Sequence, residues 1–202
     1  MPLVPPTMTG LAMAKAASNL IAGSKLPSIV SAVTSATCQY LLAAATINTV
    51  NVAIGPGSGT QTGRIYGLVP SLMSGTMLLK AASLGLFGRD LGKIFGSISF
   101  GVVNGLNLAV VQGVIIGAGP GTGTGKILGL VPVALQGLIL AQDAFRLIAG
   151  SKTRDLASCM AFGICTHIMT VGTVVVTDIG VFTPPPVGPV PVPAAPGFGR
   201  LI

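Results

Sequence analysis

The chain alternates between two hydrophobic patterns that predict helices and strands in a fixed order. Long apolar stretches rich in Ala, Ser, Gly and Leu predict helices, and shorter Val- and Ile-rich runs punctuated by glycine predict strands. First helices are predicted at 9–22, 74–86 and 133–149, and second helices at 27–45, 90–111 and 154–170. A strand follows each pair, at 49–54, 110–116 and 172–177, and a loop and a return strand complete a β-hairpin.

Leu-Val-Pro and single glycines mark the expected ends of these elements. Leu-Val-Pro is expected to break the preceding strand, because proline lacks a backbone donor and restricts its neighbour. Gly23, Gly88 and Gly150 are expected to end the first helices in the left-handed conformation. Pro27 and Asp90 suit the starts of second helices.

Repeated segments divide the chain into tandem units. "LIAGSK" occurs at 20–25 and 147–152, and "KAAS" occurs at 15–18 and 80–83. The glycine loops "GPGSGTQTGRIYGLVP" and "GPGTGTGKILGLVP" begin at Gly55 and Gly119. We therefore expect three units of about sixty residues, at 6–70, 71–132 and 133–202.

The third unit departs from the other two near its end. Its segment 183–196 is proline-rich and is expected to form an extended arm. Its last residues, "GFGRLI", resemble "GTGKIL" at 123–128, but the following Leu-Val-Pro is found at Leu3–Pro5 instead. This pattern predicts that residues 1–5 pair with the C-terminal strand. The predicted fold is α+β, a single domain over 1–202 whose three helix-helix-β-hairpin units close into a pseudo-threefold ring.

Composition indicates that much of the surface is covered by something other than water. Of 202 residues, 50% are hydrophobic and 7% are charged, whereas a free globular domain has about 25% charged residues. The net charge of +7 is compatible with nucleic acid, anionic lipid or an acidic protein. The basic residues are scattered and aromatic residues are few, which argues against nucleic acid. No signal peptide is expected, since "MPLVPPTMTGL" has no basic segment before an apolar one.

The glycine loops resemble phosphate-binding loops but have the wrong spacing. Counted back from Gly125-Lys126, the first required glycine falls on Pro120, and Ile127 replaces the hydroxyl residue that holds magnesium. Each loop also joins two predicted strands instead of opening a helix. We expect long hairpin turns and no cofactor, with the glycines supplying the turn conformations: Gly55, Gly57, Gly59, Gly117, Gly119 and Gly121.

One basic residue follows the loop in each unit: Arg64, Lys126 and Arg200. Under threefold closure these residues form a ring of positive charge. They are either solvated strand ends or docking contacts for an acidic partner. His167, in an apolar helix, aligns with Tyr40 and is expected to be a packed residue and not a metal ligand.

The remaining reactive side chains form no recognisable site. Cys38, Cys159 and Cys165 lack metal-ligand spacing and are expected to be buried thiols of a protein made in a reducing cytoplasm. The four aspartates fall at unlike positions in the units, and Asp90 and Asp155 are expected to cap helices. The sequence therefore predicts a protein that is not an enzyme.

Two function classes remain. In one, the chain spans a bilayer, since 28–54 and 94–125 are uncharged and long enough. Both stretches run into glycine-rich hairpins, however, and open backbone of that kind cannot face lipid. In the other class, the chain is a small structural piece buried against other subunits of a large assembly.

The repeated loop supports the second class. The pattern "GxGTGxGK" followed by "GLVP", alternating with Ala-, Gly- and Ser-rich helices, resembles small glycine-rich virion structural proteins of tailed bacteriophages. The resemblance implies a non-enzymatic tail or baseplate component, made in the host cytoplasm and located in the virion. Its implied partners are other virion proteins, such as tail-tube or baseplate subunits.

Overall fold

The structure is a computed structural model that describes residues 3–55, 58–116, 122–148, 150–178 and 195–202. Within these ranges the order helix, helix, strand, strand occurs three times, and this mixed content agrees with the predicted α+β class. The helices are α1 Pro5–Ser18, α2 Leu26–Ala44, α3 Pro70–Ser83, α4 Leu91–Leu108, α5 Pro132–Phe145 and α6 Thr153–Val171. The strands are β1 Thr46–Gly55, β2 Ser58–Tyr66, β3 Val110–Ile116, β4 Thr122–Leu128, β5 Thr173–Asp178 and β6 Ala195–Leu201.

The helices that follow the Leu-Val-Pro segments begin earlier than the sequence predicted. α1, α3 and α5 each begin at the proline, about four residues before the predicted start in two cases. Proline suits this position because its ring fixes φ near the helical value and its missing N–H has no helical partner there. The preceding leucines, Leu3, Leu68 and Leu130, are buried in the core.

The first helices end differently from the prediction. At the ends of these helices, the residues with positive φ are Leu20, Gly85 and Leu147, at 52°, 67° and 55°, and not the predicted Gly23, Gly88 and Gly150. The chain therefore leaves the helix about three residues earlier. Leu20 and Leu147 take a conformation that costs a residue with a side chain about 1–2 kcal/mol. The predicted glycines lie in the turn beyond.

The six helices form a closed ring in which each contacts its two neighbours. α1 contacts α6 as well as α2, so no helix in the ring is left at an edge. Consecutive helices run antiparallel: the Thr9 hydroxyl on α1 hydrogen-bonds to that of Thr34 on α2 at 2.6 Å. The three helix–helix turns therefore lie at one end of the ring, and the strands continue from the other end.

Small residues allow close packing where the ring closes. A Cβ added at Gly163 on α6 would lie 2.7 Å from Cβ and 2.9 Å from Cα of Ala12 on α1. Gly101 on α4 contacts Ile139 on α5 in the same way. The glycines let neighbouring backbones approach to a distance that a larger side chain would prevent.

The six strands form one closed antiparallel barrel, in the order β1-β2-β3-β4-β5-β6, with β6 returning to β1. The hairpins predicted separately are thus joined edge to edge, and closure removes every unpaired strand edge. At the seam, Ile47 pairs with Gly199 and Thr46 with Arg200. The barrel continues from the end of the helix ring opposite to the helix–helix turns.

The barrel interior combines large and small residues. Next to the helices, each strand contributes one buried aliphatic side chain: Ile47, Ile65, Val111, Ile127, Val174 and Leu201. Farther along the barrel, the buried Gln61 lies against Gly113 and Gly125. Any side chain in place of either glycine would clash with Gln61. A six-stranded barrel is narrower than the eight-stranded kind that side chains just fill, so inward glycines are required.

Ring closure differs in detail from the prediction. Residues 3–4 are not in a strand, so they do not pair with the C-terminal strand, which instead pairs with β1 and β5. Closure is made by β1 with β6 and by α1 with α6. The predicted proline-rich arm lies outside the described residues except for Ala195 and Pro196, which belong to β6.

Candidate interaction surface

The three predicted contact residues lie at matching places on the barrel. Arg64, Lys126 and Arg200 are exposed on β2, β4 and β6, and each precedes an inward aliphatic residue of the layer nearest the helices. Since β2, β4 and β6 alternate around the barrel, these basic side chains are spread around its base. Lys126 Nζ donates a hydrogen bond of 3.4 Å to the Thr170 carbonyl at the end of α6.

An apolar rim borders these charges where the barrel meets the helix ring. We call this surface the shoulder; it consists of the exposed residues Val4, Val69, Val131, Tyr66, Leu128 and Ile202. The three valines come from the Leu-Val-Pro segments, and the other three residues end or follow β2, β4 and β6. Sequence reasoning missed the shoulder, because the middle residue of Leu-Val-Pro cannot be known to face outward until the helix start is located.

Two of the three shoulder valines, Val69 and Val4, are held by second helices. The Val69 N–H donates to Tyr40 Oη on α2 at 2.8 Å, and the Tyr40 hydroxyl donates to the Val69 carbonyl at 3.2 Å. The Val4 N–H donates to Nε2 of His167 on α6 at 3.0 Å. Tyr40 and His167, aligned in the sequence, therefore have the same role in the first and third units. In the second unit the aligned residue is Gly105, which packs on Leu130 and Leu135.

His167 is a packed residue, as predicted. It is buried, and burial lowers the pKa of its imidazole because the charged form loses water. With Nε2 accepting from Val4, the neutral ring carries its proton on Nδ1. Within the described part of the chain, no group of three or more His, Cys, Asp or Glu residues could hold a metal ion.

The cysteines and aspartates are placed for structural roles. Cys38, Cys159 and Cys165 are free and buried, as predicted, and burial raises the pKa of Cys38 to about 11 and of Cys165 to about 12. Such thiols are poor nucleophiles at neutral pH. Asp90 is the N-cap residue of α4, but its side chain pairs with Lys93 at 3.1 Å and makes no capping hydrogen bond.

Asp155 and Asp143 are the other two aspartates on the helices. Asp155 pairs with Lys152 at 3.4 Å in the first turn of α6. Burial raises the pKa of the Asp143 carboxyl, and this effect outweighs a hydrogen bond from Ser97 and the charge of Arg146, which both lower the pKa. These three carboxylates lie at separate places around the helix ring and form no carboxylate pair.

The glycine loops connect antiparallel strands, as predicted. Gly55 pairs with Ser58 at the end of the first hairpin, and Gly59 lies in β2. In the second hairpin, Ile116 pairs with Thr122 across the loop. Gly57, Gly117, Gly119 and Gly121 lie outside the described residues. The described residues on both sides of each loop belong to strands, whereas a phosphate-binding loop opens a helix.

The uncharged stretches are not continuous helices. Residues 28–54 divide into a helix and a strand, and residues 94–125 include parts of a helix and of two strands. Among the described helices, α2 is long and apolar enough to cross a membrane. α2 has 19 residues with a mean hydropathy of 1.2 over its best window, and 56% of that window is buried inside the protein. A core helix satisfies the same criterion.

Comparisons with known protein families, curated proteins and solved structures found no match to this chain.

Proposed function

We propose that the chain is a non-enzymatic structural component of a bacteriophage virion, within the tail or baseplate. We further propose that its three units form a pseudo-threefold ring that sits on a threefold axis of the particle. The partners are other virion proteins, either tail-tube or baseplate subunits. The shoulder, with the basic residues beside it, is the surface that docks.

The observation that carries this proposal is the recurrence of one exposed surface at matching positions of three units. Each unit supplies an exposed valine, an exposed apolar residue at the end of its return strand, and a basic residue two positions before that one. Isolated exposed apolar residues are ordinary, but a recurrent set bordered by charge is typical of a protein interface. A symmetric trimer of partners would present three copies of one complementary surface.

The outer wall of the helix ring is consistent with close contact by neighbours. Gly10, Gly75 and Gly137 occupy matching positions within α1, α3 and α5, and an added Cβ at each would meet open space. A helical glycine costs about 1 kcal/mol relative to alanine. No contact among the described residues requires these glycines, so a neighbouring subunit packed against the wall would account for them.

Purified particles of the encoding phage test the proposal. After a detergent wash, the chain should remain, at one copy for every three copies of its partner, as measured by quantitative mass spectrometry. Replacing Arg64, Lys126 and Arg200 by glutamine should reduce incorporation stepwise as charges are removed. The matched control is Val50→Thr, an exposed position farther along the barrel wall, which should be incorporated normally.

The alternative is a polytopic integral membrane protein with small-residue-rich helices, and one observation favours it. α2 has the length and hydropathy of a membrane span. Recovery of the chain from the host membrane fraction, resistant to alkaline carbonate, together with its absence from particles, would support the alternative and reject the virion role.

A further inference from the structure

The helix–helix turns form a second exposed surface, at the end of the ring opposite to the barrel. We call this surface the tip face. It carries the most exposed large apolar side chains of the described chain, which are Leu20 at 84%, Phe87 at 85%, Phe145 at 81% and Leu147 at 89%. Each belongs to a helix–helix turn or to the last residue before one. These side chains contribute almost nothing to the core.

Two of these residues adopt a backbone conformation that is unfavourable for a residue with a side chain. Leu20 and Leu147 have φ of 52° and 55°, a region that favours glycine, and the matching residue of the second unit is Gly85. A leucine that is both strained and exposed stabilises nothing within the chain. Backbone strain of this kind concentrates where the residue makes a contact outside the fold.

The tip face is also positively charged. Its exposed basic side chains are Lys25, Arg89, Lys93, Lys152 and Arg154. Asp90 and Asp155 neutralise two of them through their ion pairs with Lys93 and Lys152. A depression of about 560 Å³ separates the first and third turns, and Lys25 and Lys152 both line it. The surface thus combines projecting Leu and Phe side chains with surrounding Lys and Arg.

We propose that the tip face binds the surface of an anionic lipid bilayer. The four apolar side chains would enter the boundary between headgroups and acyl chains, and the basic side chains would contact the lipid phosphates. Long Lys and Arg side chains suit this geometry because their stems are apolar and their ends are charged. The binding is peripheral, and it involves the end of the protein opposite to the shoulder.

Lipid fits the tip face better than DNA or an acidic protein does. DNA contacts would use the basic residues but would leave two leucines and two phenylalanines without a role. An acidic protein would need a continuous apolar patch for these side chains, whereas they stand on three separate turns. A bilayer accepts apolar side chains at any position along its surface.

Vesicle flotation with the full-length chain tests the proposal, because aggregated protein does not float. The chain should float with phosphatidylcholine vesicles that contain phosphatidylglycerol and should stay behind with phosphatidylcholine alone, and added salt should weaken binding. The double variant L20G/L147G should bind at least about tenfold more weakly. That variant relieves strain, so unfolding cannot explain its loss of binding.

Further variants and controls distinguish lipid from other possible ligands of the tip face. F87S/F145S should also lose binding, whereas Leu108→Ser, an equally apolar exposed change at the barrel end of α4, should bind as the wild type does. Equal flotation of wild type and L20G/L147G would overturn the proposal. So would retention on duplex DNA without any vesicle binding, or resistance of the bound protein to alkaline carbonate. Because the tip face is separate from the shoulder, failure here leaves the virion role intact.

Discussion

Protonation of His167 should weaken the contact that closes the helix ring. The neutral imidazole accepts a hydrogen bond from the Val4 N–H through Nε2, at 3.0 Å, and this bond joins α6 to the residue before α1. A proton on Nε2 would replace the acceptor with a donor and would place a charge in a buried site. The pH dependence of stability therefore reports on ring closure.

The sign follows from the direction of the pKa shift. Burial lowers the pKa of His167 below the unfolded value of about 6.5, so the folded state binds this proton less readily than the unfolded chain does. The stability is fully present above about pH 6.5 and is lost as pH falls toward the folded pKa, by up to about 1.4 kcal/mol per pH unit. The raised pKa of Asp143 acts in the opposite direction, because that carboxyl binds its proton more readily in the folded state.

Variants separate the hydrogen bond from the titration. His167→Gln should keep an acceptor for Val4 and abolish the pH dependence between about pH 7.5 and 5. His167→Leu leaves the Val4 N–H without a partner, at a cost of about 1–3 kcal/mol. Val4 is 40% exposed, so water partly replaces the lost acceptor and the lower end of that range is expected.

Urea unfolding at the two pH values measures these differences, and Tyr40→Phe is the matched control. That variant removes the equivalent bond to Val69 while leaving His167 in place, and it should cost about 1–3 kcal/mol at both pH values. If His167→Gln lost as much stability as the wild type between the two pH values, the effect would come from another group. The role assigned to His167 would then be wrong.

Further substitutions test the strain, packing and polar groups of the fold. Leu20→Gly and Leu147→Gly should each raise the free energy of unfolding by about 0.5–1 kcal/mol, since relief of strain exceeds the added entropy of the unfolded chain; a loss in urea denaturation would contradict this. Gly163→Ala should destabilise the protein by about 1–3 kcal/mol because the new methyl group meets the backbone of the neighbouring helix, whereas Gly75→Ala, facing open space, should stabilise it by up to about 1 kcal/mol. Equal shifts of the melting temperature in the two variants would refute the packing argument. Gln61→Met should stabilise by about 1–3 kcal/mol, because Gln61 is buried and neither atom of its amide has a partner among the described residues; destabilisation would show that the amide is hydrogen-bonded inside the barrel.

The candidate surface was only partly accessible to sequence reasoning. Arg64, Lys126 and Arg200 could be found because repeats place them at one position of each unit, and the structure shows them exposed on alternate strands. The shoulder valines and the strained leucines could not be found. Their exposure depends on where each helix begins and ends, and propensity locates helix boundaries less reliably than helix existence.

Local pattern determined the elements of this protein and their order. Helical apolar stretches, Val-rich strands and repeated segments were enough to predict an α+β chain of helix pairs followed by hairpins, because these features depend on neighbours a few residues apart. Packing between distant segments decided the rest. The joining of three hairpins into one barrel, the pairing of β6 with β1 and the bond from Val4 to His167 all link residues far apart in the chain. Such contacts form only where burial of the shared core offsets the entropy of bringing those segments together, and no local pattern records that balance.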